Sequence, residues 1–122
     1  MKEGKGMDTR EKAFKAAKFY LTSRGYKIGD SWKSRGLFGL IAMDKEEDEL
    51  AFVQILYQDA GTLPEETDSN RTIFEKVATK WLASQDALDR PMMQVRFDIV
   101  SLLLLDGSYV FLRHHRNVLC TY

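Results

Sequence analysis

The chain has one cysteine, Cys120, in 122 residues. That scarcity excludes an intrachain disulfide and any zinc site built from cysteine pairs, and a reducing cytoplasm is the expected compartment. Proline is almost as rare: only Pro64 and Pro91 occur, and no Pro-rich linker, low-complexity stretch or internal repeat divides the chain. Long apolar runs are missing too. The leucines Leu102–Leu105 make a strand-sized piece, far short of the roughly 20 residues that span a bilayer. Met1–Gly6 is charged and lacks the apolar stretch of a signal peptide. A single domain over 1–122 is expected, with 1–7 and 119–122 as flexible ends, and no membrane partner.

Net charge is also lacking, since 18 Lys/Arg balance 18 Asp/Glu, but the charges are segregated. Residues 1–36 carry ten basic and four acidic side chains, residues 37–70 one and nine, and residues 71–122 seven and five. A surface for phosphate wants a basic stripe, which the first third can supply and the middle segment opposes. A solvated helix face followed by an acidic turn explains the same pattern.

What is present is a hydrophobic content of 44%, enough for one layered core. Asp8-Thr9-Arg10-Glu11 reads as a capping box, and Phe14, Ala17 and Leu21, with Ala13 and Tyr20 beside them, share a face. A helix from Asp8 to Arg24 is expected, stopped by Gly25. Three strands follow: Tyr26–Lys33, interrupted by Gly29-Asp30; Leu37–Met43; and Glu49–Tyr57, with Val53, Ile55 and Tyr57 on one face and Phe52, Gln54 and Leu56 on the other. After a loop over 59–70, Ile73, Val77 and Trp81, with Phe74, Ala78 and Leu82, mark a second helix. Gln94–Leu105 and Ser108–His115 form a hairpin about Asp106-Gly107. The order α-β-β-β-α-β-β lets the third and fourth strands pair in parallel across the second helix, in a mixed sheet with a helix on each face.

Several local runs occur in a telling order: Tyr20-Leu21, Gly25-Tyr26, Ile28, Trp32, Arg35-Gly36, Leu40-Ile41-Ala42, Phe52-Val53, Pro64-Glu65, Trp81-Leu82, Arg96-Phe97-Asp98-Ile99-Val100 and Asn117. From about Ala13 to Val118 the chain resembles the YraN-type family of small bacterial proteins, related in fold to restriction endonucleases and archaeal Holliday-junction resolvases. The resemblance implies a restriction-endonuclease-like α/β fold and magnesium-dependent phosphodiester cleavage of the PD-(D/E)xK type. The family runs are Gly-Glu-Ile-Asp-Leu-Ile-Ala and Phe-Val-Glu-Val-Lys, with a further Glu on the first helix. Such carboxylates hold a hard cation against the scissile phosphate, and the Lys neutralises developing charge. This sequence departs at each of those positions, with Phe14 on the helix, Leu37 and Gly39 in the first run, and Gln54 and Leu56 in the second. The expectation is a catalytically inactive nuclease-fold protein that needs no metal or other cofactor and retains binding to DNA or RNA. Lys33, Arg35 and Arg71 are the candidate phosphate contacts. The alternative is a protein-interaction or regulatory module, such as a homodimer, whose former site is core. A third reading is an active endonuclease with relocated carboxylates at Glu11, Asp44 or Asp59.

Other residues are expected to be structural. Asp44, Glu46, Glu47, Asp48 and Glu49 read as a solvated turn. Arg96 and Asp98, alternating with Val95, Phe97 and Ile99, read as a cross-strand ion pair. His114 and His115 point to opposite faces of a strand and are expected at the hairpin surface. Cys120 is expected to be inert, and Met92-Met93 to fill space beside the sheet.

Overall fold

A computed structural model describes residues 9–58, 68–84, 94–105 and 110–116. Asp8, Asp59, Pro64-Glu65, Arg90-Pro91, Met92-Met93, the Asp106-Gly107 turn, Asn117 and Cys120 lie outside these residues, as does the side chain of Leu82. The described elements are α1 (Thr9–Ser23), β1 (Tyr26–Ser34), β2 (Leu37–Asp44), β3 (Glu49–Gln58), α2 (Asp68–Ser84), β4 (Gln94–Leu104) and β5 (Val110–His115). The α-β-β-β-α-β-β order is as expected.

The strands form one sheet in the order β1-β2-β3-β4-β5. Every neighbouring pair is antiparallel except β3 with β4, which run parallel from Glu49↔Gln94 to Gln58↔Leu103. Parallel neighbours require a long crossover, and α2 lies within it. One apolar layer joins Ala13, Ala17 and Leu21 of α1 to Leu40, Ala42, Val53, Ile55, Val100 and Leu102. The other joins Phe74 and Ala78 of α2 to Ile41, Phe52 and Ile99. Strand alternation thus sends successive side chains to opposite helices. Each fully buried large apolar side chain contributes about 1.5–3 kcal/mol of transfer free energy.

In α1 the small residues Ala13 and Ala17 take the centre of the buried face, and Phe14 moves to its margin. The helix stops where expected: Gly25 adopts φ 93°, and its N–H donates to the Thr22 carbonyl at 3.1 Å. In α2 Phe74 and Ala78 are the buried centre, with Val77 and Trp81 packed beside them. The Trp81 ring meets Phe52 edge-on at 5.2 Å.

Gly29-Asp30 does not break β1. The register moves from Ile28↔Ala42 to Ser31↔Leu40, so Gly29 and Asp30 together face Ile41 alone. This bulge adds one residue to the strand and reverses the faces beyond it. Ile28 accordingly packs in the α1 layer, whereas Trp32 packs in the α2 layer.

Candidate functional site

The bulge brings Trp32 into a row that crosses the sheet. Trp32 pairs with Gly39, Gly39 with Gln54, and Gln54 with Ile99. The indole of Trp32 lies across Gly39, with its Nε1 donating to the Val53 carbonyl oxygen at 3.0 Å. Its ring stacks on Phe74 at a centroid distance of 5.6 Å and an angle of 15°. A Cβ added at Gly39 would collide with that carbonyl oxygen and lie 2.8 Å from the indole nitrogen. Glycine is therefore required here by close approach of backbone and ring. Next in the row, Gln54 is 0% exposed, and neither its Nε2 nor its Oε1 has a hydrogen-bond partner. A buried amide left unsatisfied costs about 1–3 kcal/mol.

Trp32 and Gly39 also border a cleft of about 570 Å³ between α1 and the β1–β2 edge. Arg10, Lys15, Lys18 and Lys33 line it, together with Glu11 and the aromatic rings of Phe14 and Phe38. The Arg10 guanidinium sits 5.6 Å from the Phe38 ring centroid, and the Lys18 ammonium 5.4 Å from that of Phe14. The acidic β2–β3 hairpin lies at the opposite end of β2.

The expected site residues are only partly assembled. Phe14 and Gly39 meet at the cleft. Gln54 lies beyond the indole, and Leu56 packs in the α2 layer, whereas Phe14 packs in the α1 layer, 6.3 Å from Phe38. The positions therefore do not form one apolar patch, because α1 covers the face opposite to Gln54 and Leu56. Leu37, at the start of β2, is half-buried. Among the expected phosphate contacts, Lys33 lines the cleft. Arg35 follows in the β1–β2 turn with φ 50°. Arg71 belongs to α2, does not line the cleft and is engaged by a neighbour.

A second polar centre escaped the sequence reading. At the hairpin end of the α1 face, the buried Arg96 guanidinium gathers carboxylates from three strands. Nε and Nη2 bind Asp98 at 2.9 and 3.0 Å, and Nη1 reaches Asp44 at 3.0 Å and Glu49 at 2.8 Å. Nη2 also donates to the Tyr26 hydroxyl. The Arg96–Asp98 pair thus runs along one strand, and the cross-strand partners are Asp44 and Glu49. Those two turn inward, while Glu46, Glu47 and Asp48 stay exposed as a solvated turn would. His114 is likewise no surface residue: Nε2 lies 2.8 Å from Asp98 Oδ2, and Nδ1 lies 3.0 Å from the Tyr20 hydroxyl. A carboxylate only accepts, so Nε2–H donates to Asp98, and Nδ1 shares a hydrogen bond with the Tyr20 hydroxyl. His115, one residue on, is exposed.

Burial and charge oppose each other in this network. Burial raises the Asp44 pKa, but hydrogen bonds from Arg96 and from the Glu47 N–H, with the Arg96 charge, outweigh it and hold the carboxyl below its ordinary value. Burial disfavours the Arg96 cation, yet Asp98 and Asp44 hold it protonated more firmly than usual. Burial pushes the Tyr26 hydroxyl up to about 12; the Arg96 charge pulls against this, and Asp98 and Asp44 add to it.

No family model matches the chain. A UPF0102 protein of Nocardia farcinica is 32% identical over 108 residues, covering 84% of this chain and 81% of the relative. The chain belongs to the UPF0102 family. This is the YraN-type family that the local runs resemble. In this UPF0102 protein the magnesium implied by the nuclease resemblance does not fit the residues present. Gly39 has room for no side chain, Leu56 is apolar, and Gln54 offers one neutral amide oxygen where the cation wants charged ones. Among the described residues no group of three or more His, Cys, Asp or Glu side chains is arranged to hold a metal ion, and no helix is long and apolar enough to cross a membrane.

Proposed function

We propose that this UPF0102 protein binds nucleic acid through the α1–β1–β2 cleft without cleaving it. The observation that carries the reading is the cleft itself, where Arg10, Lys15, Lys18 and Lys33 gather beside the rings of Phe14 and Phe38. Lys and Arg neutralise phosphates and release counterions, and aromatic rings accept bases. Family membership supports a nuclease-like ancestry, and the departures at Phe14, Leu37, Gly39, Gln54 and Leu56 support the loss of its chemistry. Neither a metal nor another cofactor is needed for binding of this kind.

The test is a salt titration of binding to single-stranded, duplex and branched DNA, and to RNA. With about four phosphate contacts, log K is expected to fall with log salt at a slope of roughly −3 to −4. Lys15→Ala or Lys18→Ala should each flatten the slope by about one. Failure of every nucleic acid to bind at low salt, or magnesium- or manganese-dependent cleavage, overturns the reading.

A further inference from the structure

Among the described residues the sheet has two outer edges, β1 and β5, and the chain equips them differently. An edge strand exposes unpaired N–H and C=O groups and pairs with a further strand unless something prevents it. β1 is guarded: Lys27, Asp30 and Lys33 are exposed along it, and the Gly29-Asp30 bulge breaks its regular hydrogen-bond spacing. β5 pairs with β4 without a register shift, and its run Val-Phe-Leu-Arg-His-His contains no proline, lysine or carboxylate. Four large apolar side chains are exposed among the described residues. Three of them, Leu105, Val110 and Phe111, lie on the β4–β5 ribbon, with Phe111 at 61%. Apolar exposure grouped on an unguarded edge marks a surface for a partner. We propose that β5 pairs antiparallel with β5 of a second copy of this chain, joining two sheets edge to edge in a two-fold dimer.

The charge pattern of the strand selects both the partner and the register. Leu112 packs in the α1 layer and His114 reaches Tyr20 of α1, so alternation puts Phe111 and Arg113 together on the other face, both exposed. In an antiparallel pair, residues directly opposite share a face, so the two-fold axis passes beside one residue and its own copy. The middle of β5 offers two such positions. An axis at Arg113 sets that cation directly against itself, which is destabilising. An axis at Leu112 sets Phe111 of each copy opposite Arg113 of the other. The guanidinium then meets an aromatic ring, the contact that Arg10 and Arg24 already make with Phe38 and Tyr20 within the chain. β5 is thus complementary to itself, and the symmetry makes the contact twice. Pairing consumes both β5 edges and leaves only the guarded β1 edges, so the assembly closes at two copies instead of growing into a fibre. The α1–β1–β2 cleft lies toward the far edge of each sheet and stays open, so the dimer is independent of the nucleic-acid reading.

The experiment is sedimentation velocity on the full chain from about 1 to about 100 µM. The expected species has twice the 14.1 kDa mass of one chain. Phe111→Arg brings like charges together in both symmetric pairs and should weaken the dimer about tenfold or more. Adding Arg113→Glu to that variant sets opposite charges in both pairs and should restore the dimer, which also shows that the single variant was folded. A monomer across the whole range overturns the proposal. A dimer that survives Phe111→Arg overturns its placement on β5, and a double variant that stays monomeric overturns the pairing about Leu112.

Discussion

Gln54 and Gly39 show how single residues can look like losses and prove to be requirements or costs. Gly39 stands where the resemblance places an aspartate, but the Val53 carbonyl and the Trp32 ring leave no room for any side chain. Gln54 is the reverse case: the fold tolerates it without rewarding it, since its buried amide has no partner. Replacing it with leucine removes the desolvation penalty while keeping much of the volume. Gln54→Leu is therefore expected to raise unfolding stability by about 1–3 kcal/mol, read as a higher urea midpoint at unchanged slope. An unchanged or lower midpoint would mean that the amide is satisfied in the folded protein.

At the scale of elements, the bulge in β1 decides which face Trp32 takes. Deleting Asp30 would remove the extra residue opposite Ile41 and restore simple alternation. Trp32 would then face α1 rather than Phe74, or β1 would detach to avoid it. Either way, the deletion is expected to change tryptophan emission markedly and weaken nucleic-acid binding, while Asp30→Ala does neither. The Arg96 network joins elements too, and Asp44 makes it sensitive to acid. A carboxyl whose folded pKa is depressed contributes stability above its unfolded value of about 3.8 and loses it as pH falls through the lower folded value. Asp44→Asn is expected to flatten that acid limb and to lower stability near neutrality, because Arg96 loses one buried charged partner. Thermal midpoints measured from pH 2 to 7 check both. The elements themselves were legible in the sequence, because α1 repeats its apolar residues at helical spacing and β3 alternates. Side-chain destinations were less so. Gly29-Asp30 looked like an interruption because a bulge is visible only against its partner strand. Asp44 and Glu49 looked solvated because nothing local distinguishes them from Glu46 and Glu47; what distinguishes them is Arg96, brought there by the parallel pairing of β3 with β4. Alternation of Arg96 and Asp98 inside a strand covered on both faces was the available signal. Phe14 was expected with Gln54, and only the packing of α1 on the other face separates them.

Taken whole, the molecule is neutral but polar in layout, and that layout bears on how it meets an anion. The basic cleft opens near Phe38 and Gly39 at the start of β2, and the Glu46-Glu47-Asp48 turn follows Asp44 at its end. At about 3.3 Å per residue, β2 separates the two ends by roughly 20 Å. The Debye length at physiological ionic strength is about 8 Å, so the acidic turn lies more than two screening lengths from a phosphate in the cleft. Its repulsion is then negligible near 0.15 M salt and grows as salt is removed and the screening length rises. Neutralising the turn with Glu46→Gln, Glu47→Gln and Asp48→Asn is expected to leave affinity unchanged within about twofold near physiological salt, and to accelerate association only at low ionic strength. Lys15→Ala and Lys18→Ala should weaken binding at both. Stopped-flow association rates across a salt series separate the cases. If the neutralised turn tightens binding equally at every salt concentration, the nucleic acid is reaching the hairpin end of the sheet, and the cleft is not its principal seat.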